Sequence, residues 1–444
     1  MPPSPGASPL AELELALSSS RPDRAADEAL RAFRERVDPS EILRVAARTA
    51  AARYDPASGL PPHGLATLAA IAALQPAMEP SDVPLAVLQG LVLIASERKL
   101  PSPQRPPAVV SGEVTHLGRS ALLAARAGSS DEAEAVFLGI VEEGWERRMA
   151  GDMLFRAALE DLGDGGHKLL MSVQLWRLAR ALGFRDARTL LRPAVQYLMN
   201  GERNRKPYEA AMAVLGREWV DLESLAAGGR PLDDAGRARL GTLLAASSEA
   251  LCVESALALL RDGYAASSLA EGIALEAAKR LLAAEGYHLE LAHGLLYARA
   301  ARFVLEFSRS SERLVVVFQA ALRVRSPAPH LPAVAVPEPA DEGDSSLRIR
   351  EDLANRRPRE VAARVRIHLA RGFPSKPLLA ALAHHAALDS SLANQGHNLL
   401  LADACAEEYA ATHAPEFLMA LAKSVAASPK DLTASRAWAQ ALGR

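Results

Sequence analysis

Four histidines recur at a regular spacing, and each opens an apolar, helix-forming segment. His167 follows His63 by 104 residues, and His397 follows His293 by the same 104 residues. The two pairs are offset from one another by 230 residues. Imidazole nitrogens are common ligands of iron, zinc, copper and nickel. If the fold brings these segments together, the four histidines can bind one transition metal or line a polar cavity.

Carboxylates precede two of these histidines by three residues, which places acid and imidazole on one face of a helix. The pairs are Glu290 with His293 and Asp164 with His167. Bundles that bind two metals carry such Glu-x-x-His pairs on facing helices together with further carboxylates. Here the other two histidines have Leu and Asn at that position, which argues against a full di-metal set. The sequence instead predicts a histidine site in which Glu290 or Asp164 completes or orients the ligands.

Two glutamines, Gln89 and Gln319, fall at the same offset of 230 residues. Each lies mid-helix in an apolar run, where an amide without a hydrogen-bond partner costs roughly 1–3 kcal/mol. We therefore expect them to bond one another, to face the histidines as a cofactor-binding pair, or to provide packing specificity only.

A structural role for the histidines is the alternative. Each ring would then make one hydrogen bond at a helix junction, and the protein would be a non-catalytic helical scaffold or partner-binding protein. The recurrence of a buried polar residue at four related positions favours a shared site instead.

The composition predicts an all-α fold. Hydrophobic residues make up 49% of the chain and aromatic residues only 5%, so Ala, Leu and Val fill the core, and Ala and Leu favour helices. Helical periodicity is clear in Ser40–Tyr54, Ser130–Glu143, Lys168–Leu182 and Gly272–Ala284. Ser40 is the expected N-cap of the first of these. The Pro-rich segments Leu100–Val110 and Ser326–Asp344 are predicted to be extended loops.

The offset of 230 residues indicates an internal duplication, because both histidine pairs, the glutamines and the Pro-rich segments agree on it. The predicted architecture is a pseudo-twofold helical bundle. Its parts are an N-terminal segment with the first helices (1–39), helical repeat 1 (40–212), connecting helices (213–269) and helical repeat 2 (270–444). One long helical array is the alternative, although this unit far exceeds the roughly 34–45 residues of common helical repeats.

Charge and composition argue against several classes of function. Lys and Arg number 51 against 53 Asp and Glu, and no long basic run occurs, so nucleic-acid binding is not expected. Neither a signal peptide nor an apolar run of about 20 residues is present, which predicts a cytoplasmic protein with no membrane partner. The two cysteines, Cys252 and Cys405, form no CxxC motif. Walker A, GxGxxG, GxSxG and HExxH motifs are absent, which argues against ATP, dinucleotides and serine-type hydrolysis.

The segment Gly151–Gly183 resembles a poorly characterised bacterial helical domain that often accompanies a Rieske-type [2Fe-2S] domain. The matching features are Asp152-Met-Leu-Phe and then Asp164-Gly-Gly-His, which opens an apolar helix. The similarity continues at His293-Gly-Leu-Leu-Tyr-Ala-Arg-Ala and Glu312–Val324, and it ends at Leu379–His397, where His385 and His397 are candidate matches.

This resemblance implies an all-α domain with histidines at corresponding helix starts and redox work beside an electron carrier. It makes iron the first candidate metal. Two departures matter: no Cys-x-His pair occurs, so the iron–sulfur domain itself is absent, and Gln89 and Gln319 stand where the family is expected to carry a further histidine. The sequence thus predicts an oxidoreductase-like protein that receives electrons from a separate electron-transfer protein, with substrate and oligomeric state left open.

Overall fold

The computed structural model describes residues 8–105, 107–142, 147–326, 334–389 and 393–443, and in these ranges the chain is all-helical. No β-strand occurs there, and the only extended pairings are isolated bridges between Tyr54 and Lys99 and between Arg230 and Tyr264. The all-α prediction is therefore confirmed. The helices are α1 (Pro9–Ser18), α2 (Pro22–Arg34), α3 (Pro39–Ala52), α4 (His63–Leu74), α5 (Val83–Ser96), α6 (Val114–Ala127), α7 (Ser130–Glu142), α8 (Arg147–Leu159), α9 (His167–Ala181), α10 (Ala187–Asn200), α11 (Lys206–Arg217), α12 (Leu222–Ala226), α13 (Asp234–Leu243), α14 (Glu249–Arg261), α15 (Ala266–Ala283), α16 (Leu289–Phe307), α17 (Val315–Val324), α18 (Glu342–Ala354), α19 (Pro358–Ala370), α20 (Ser375–Ala387), α21 (His397–Thr412), α22 (Pro415–Ala427) and α23 (Thr433–Ala441).

The start of α3 differs from the expected one. Asp38, not Ser40, is the N-cap, and its carboxylate accepts a hydrogen bond from the Ser40 backbone N–H at 2.7 Å. Pro39 occupies the first turn, where its missing N–H costs nothing and its fixed φ suits the helix. A charged acceptor immediately before Pro39 therefore satisfies the free N–H groups and moves the helix start ahead of Ser40.

The Pro-rich segments are non-helical wherever the structure describes them, with one shift of boundary. Pro106 and residues 327–333 lie outside the described ranges. The first segment carries no helix before α6, and the second ends earlier than expected because α18 begins at Glu342. Asp341 caps that helix by accepting from the Asp344 backbone N–H at 2.8 Å.

The buried apolar side chains form one continuous cluster that extends from Leu13 in α1 to Trp438 in α23. Four helices at its centre position the histidines: α4 packs against α9 and α21, and α16 packs against the same two helices. α5 supports α4 from outside, and α17 supports α16. The four histidine-bearing helices therefore form a closed ring of neighbours.

The two cysteines lie in this apolar interior as free thiols. Burial raises the pKa of Cys252 to about 11 and raises that of Cys405 as well, so both stay protonated. Among the described helices, none is both long and apolar enough to cross a membrane.

Candidate metal centre

The centre is built where the amino-terminal ends of four helices meet. His63, His167 and His397 are the first residues of α4, α9 and α21. His293 departs from the predicted pattern, because α16 starts four residues earlier, at Leu289. All four rings are nevertheless buried, with at most 8% of any of them exposed.

The imidazoles form a four-membered ring of close contacts. Successive ring centroids are 5.0 Å apart for His63 and His167, 4.5 Å for His167 and His293, 4.7 Å for His293 and His397, and 5.0 Å for His397 and His63. Across the ring, the centroids of His167 and His397 are 5.7 Å apart. The fold therefore brings together all four histidines that the spacing singled out.

The Nε2 atoms point into this ring. The Nε2 atoms of His63 and His167 are 3.1 Å apart, and those of His293 and His397 are 2.8 Å apart. On the outer side, the Nδ1 of His167 contacts the Asp164 carbonyl oxygen, and the Nδ1 of His397 contacts the Asn394 carbonyl oxygen at 2.6 Å. A carbonyl can only accept, so Nδ1 carries the proton in both rings and Nε2 presents its lone pair inward.

Glycine makes these helix starts sterically feasible. Gly166 and Gly396 immediately precede His167 and His397 and have φ values of +89° and +80°. A Cβ on Gly396 would lie 2.0 Å from the Thr67 Oγ1, and one on Gly166 would lie 2.5 Å from the Tyr297 ring. Only glycine fits both the left-handed backbone and the space.

The two predicted carboxylates lie beside the outer nitrogens. An Asp164 Oδ2 is 3.6 Å from the Nδ1 of His167 and accepts a hydrogen bond from the Tyr197 hydroxyl at 2.7 Å. A Glu290 Oε1 is 3.7 Å from the Nδ1 of His293. These positions face away from the converging Nε2 atoms, so the carboxylates are placed to orient the rings.

Burial keeps the cluster uncharged at neutral pH. It lowers the pKa of His167 to about 4 and that of His397 to about 3, and it lowers the pKa of His63 strongly. The neighbouring imidazoles add to each shift, because a second positive charge in the ring would be repelled. Glu290, by contrast, has its pKa lowered to about 2, chiefly by its interaction with His293 and further by Arg323.

Three of the histidines already meet the spacing that one metal ion requires. His63, His167 and His397 each offer a ring nitrogen within 4.8 Å of the others. Nitrogens bound to a zinc-sized ion lie about 2.0–2.1 Å from it, so mutual separations up to about 4 Å are compatible with one ion. His293 lies outside this set of three but touches it through His397, and its own Nδ1 is buried without a hydrogen-bond partner.

A cavity of about 680 Å³ adjoins the ring of histidines. All four imidazoles line it, together with Asp164, Glu290, Tyr54, Leu60, Pro61 and Glu97. Leu60 is 59% exposed at this wall. Cavities of about 300–1,000 Å³ with mainly apolar walls and a few polar groups are typical of small-molecule sites.

Glu97 and Tyr54 were missed by reasoning from the sequence. Glu97 follows the end of α5, and its Oε1 accepts a hydrogen bond at 2.6 Å from the backbone N–H of Gly64, next to His63. Burial raises its pKa to about 7. No motif or spacing marks it. The only local signal is a carboxylate that directly follows an apolar helix.

The paired glutamines do not join this centre. Within the described residues, neither Gln89 nor Gln319 lines the cavity, and no hydrogen bond links the two. Gln319 is fully buried with both amide atoms unbonded, and the Gln89 Oε1 is also unbonded. The expectation that they bond one another is therefore wrong, because each sits on the outer supporting helix of its own half.

Other histidines have local partners. The His384 Nδ1 lies 3.0 Å from an Asp82 carboxylate oxygen. His368 is buried, with its ring nitrogens 3.0 Å from the Ser345 hydroxyl and 3.1 Å from the Pro374 carbonyl oxygen. His368 is thus a structural histidine of the kind that the four clustered ones could have been.

Comparison with known proteins returns no similarity: the chain matches no protein-family model, no curated protein and no solved structure. The functional argument therefore rests on the geometry of this centre.

Proposed function

We propose that the histidine ring binds one transition-metal ion and that the protein is an oxidoreductase-like enzyme acting on a small organic molecule in the adjoining cavity. The observation that carries this proposal is the orientation of the rings. Their Nε2 atoms converge, while the outer nitrogens of His167 and His397 are held by backbone carbonyls. Metal-binding histidines have this arrangement, in which the second nitrogen bonds a carbonyl or carboxylate and fixes the ring.

His63, His167 and His397 are the residues that would hold the ion. Three protein ligands leave a position facing the cavity, as in catalytic zinc sites. His293 would supply a fourth nitrogen or contact a bound molecule, with Glu290 on its outer side. Neutral imidazole is the form that binds metal, and burial favours that form here.

Iron is the metal that we propose, on the resemblance to the helical domain that accompanies Rieske-type iron–sulfur domains. Imidazole chemistry alone suits zinc, copper and nickel as well. A bound iron would supply one-electron redox chemistry next to the cavity. The chain has no dinucleotide motif and no cysteine motif for a cluster, so we assign electron supply to a separate electron-transfer protein.

The internal duplication belongs to the same proposal. A twofold axis exchanges residues 230 apart, so His63 exchanges with His293 and His167 with His397. The contact of His63 with His397 then corresponds to that of His293 with His167, and their centroid distances are 5.0 Å and 4.5 Å. Arg177 also bonds Glu407, its own counterpart at that offset, at 2.7 Å. Such a pair is expected where an axis passes between two counterparts.

The rival function is a non-catalytic scaffold in which the histidines only pair with one another. The short Nε2 separations favour it in one respect, because His63 can donate to His167 and His293 can donate to His397. This pairing satisfies the inner nitrogens without a metal. It gives no role to the cavity that the four rings share.

Metal analysis of matched variants separates the two functions. Purified protein is stripped with a chelator, reloaded with Fe(II) without oxygen and then measured by elemental analysis, for wild type, His167→Ala and His368→Ala. We expect about one iron per chain in wild type and His368→Ala, and little in His167→Ala. Circular dichroism checks that all three remain helical.

The scaffold function is supported instead if wild type retains no iron, zinc or copper after reloading. Equal metal contents in His167→Ala and His368→Ala would also remove the histidine ring as the binding site.

A further inference from the structure

A second cavity, of about 310 Å³, lies between α15, α19 and α22. Each helix contributes one face: Lys279 and Leu282 from α15, Arg359 and Arg366 from α19, and Met419 and Lys423 from α22. The spacings of three, seven and four residues keep each contribution on a single side of its helix. It shares no lining residue with the histidine cavity.

The charged residues that line this groove are all positive. They are Lys279, Arg359, Arg366 and Lys423, and no carboxylate is among the lining residues. Lys279 bonds Glu276 at 2.9 Å, outside the groove. The rest of the wall is aliphatic, with Leu282 and Met419 as its largest side chains. Such a wall suits a ligand that combines a negative charge with an apolar body.

Lys423 is the unusual member of this set. It is only 2% exposed, and its Nζ donates to the Leu281 carbonyl oxygen at 2.7 Å. An ammonium has three N–H donors, so one carbonyl leaves most of its capacity unused. Burial lowers its pKa to about 8, and no neighbouring carboxylate opposes that shift. A buried cation without a counter-ion is costly, so a bound anion would remove a real deficit.

We propose that this groove binds a small organic carboxylate, whose anionic group pairs with Lys423 while its aliphatic chain packs on Leu282 and Met419. The exposed cations Arg359 and Arg366 at the rim attract the anion towards the opening. This site is independent of the histidine centre.

Isothermal titration calorimetry with octanoate tests the proposal on the full chain. Octanoate binds wild type, whereas octanol, which has the same chain length and no charge, binds at least tenfold more weakly. Lys423→Met removes the charge and keeps the length, and it weakens octanoate binding at least tenfold. Lys430→Met is the matched control, because Lys430 is also a buried lysine that donates to a backbone carbonyl, at 3.2 Å to His385, outside the groove.

A second measurement keeps the proposal testable if Lys423→Met folds poorly. At pH 8.5, octanoate binding to wild type takes up protons, seen as a dependence of the heat on the buffer, because the anion favours the ammonium form. Arg366→Gln, a change at the exposed rim, lowers the affinity severalfold and weakens its salt dependence.

The proposal is overturned if octanol binds as well as octanoate, or if folded Lys423→Met and wild type bind octanoate equally. Inorganic phosphate binding as tightly as octanoate would also overturn it, because the aliphatic wall would then contribute nothing.

Discussion

At the scale of single residues, the buried histidines give the metal-free protein a defined response to acid. The pKa of His167 is lowered to about 4 and that of His397 to about 3, below the roughly 6.5 of an unfolded chain. Between about pH 6.5 and pH 4 the unfolded chain binds protons that the folded cluster does not. The free energy of unfolding therefore falls as the pH falls through this window.

We expect His167 alone to contribute a loss on the order of 1–2 kcal/mol between pH 7 and pH 5. Urea unfolding of the metal-free protein at pH 5, 6, 7 and 8 measures this. The double variant His167→Ala, His397→Ala should have a shallower dependence on pH than wild type. Parallel curves for the two proteins would mean that these rings already titrate normally in the fold.

Residue types and spacing were enough to select the four histidines, but they could not select every group around them. His63, His167, His293 and His397 share a spacing, and the structure places their rings side by side. Glu97 reaches the centre by a tertiary contact with the backbone of Gly64, which no local pattern encodes. The glutamines shared the spacing too, yet a common offset fixes equivalent positions and not mutual contact.

At the scale of elements, the tight turns before α9 and α21 fix the direction of their histidines. Gly396→Ala would place a Cβ against Thr67 in a left-handed backbone. Gly183→Ala is the matched control, since Gly183 has a φ of +70° and no neighbouring atom within 4 Å of the added Cβ. The control should cost about 1–2 kcal/mol from backbone strain alone.

Gly396→Ala should cost clearly more than this control and should also weaken metal binding, because the start of α21 must shift. Urea unfolding and metal titration of both variants measure the two effects. Equal losses of stability in Gly396→Ala and Gly183→Ala would show that the contact with Thr67 relaxes without consequence.

Helix boundaries were the least predictable feature at this scale, for physical reasons that are visible at two sites. The α3 start follows the stronger acceptor, Asp38, in place of Ser40. The α16 start lies ahead of His293 because Leu289-Glu290-Leu291-Ala292 continues the helical pattern without a breaker. Where a glycine precedes the histidine, as at His167 and His397, the start is set by that glycine.

At the scale of the whole molecule, a buried ion pair joins α9 to α21. The Arg177 guanidinium bonds both carboxylate oxygens of Asp403, one of them at 2.9 Å. Arg177→Met would leave the buried Asp403 carboxylate without its partner, which costs about 3–5 kcal/mol. Urea unfolding at pH 7 measures this loss.

The control is Arg217→Met, which removes an exposed pair with Glu254 on the surface. Pairs of this kind contribute at most about 1 kcal/mol. Similar losses for Arg177→Met and Arg217→Met would contradict the view that the contact between α9 and α21 depends on the buried pair.

The all-α class followed from composition, because Ala and Leu dominate a chain with few aromatic and β-branched strand formers. The pseudo-twofold arrangement is a stronger statement that stays a prediction. Its sequence signal lies in a few residues, such as His63 and His293, and most of the two halves have diverged in sequence.

The central claim is that a metal ion occupies the histidine ring. Anomalous diffraction at the iron edge, from crystals of protein reloaded with Fe(II), tests it most directly. We predict one anomalous peak per chain, roughly 2 Å from the Nε2 atoms of His63, His167 and His397. An electron-density map with no peak inside the ring, and with the Nε2 pairs of His63–His167 and His293–His397 still in direct contact, would contradict the claim.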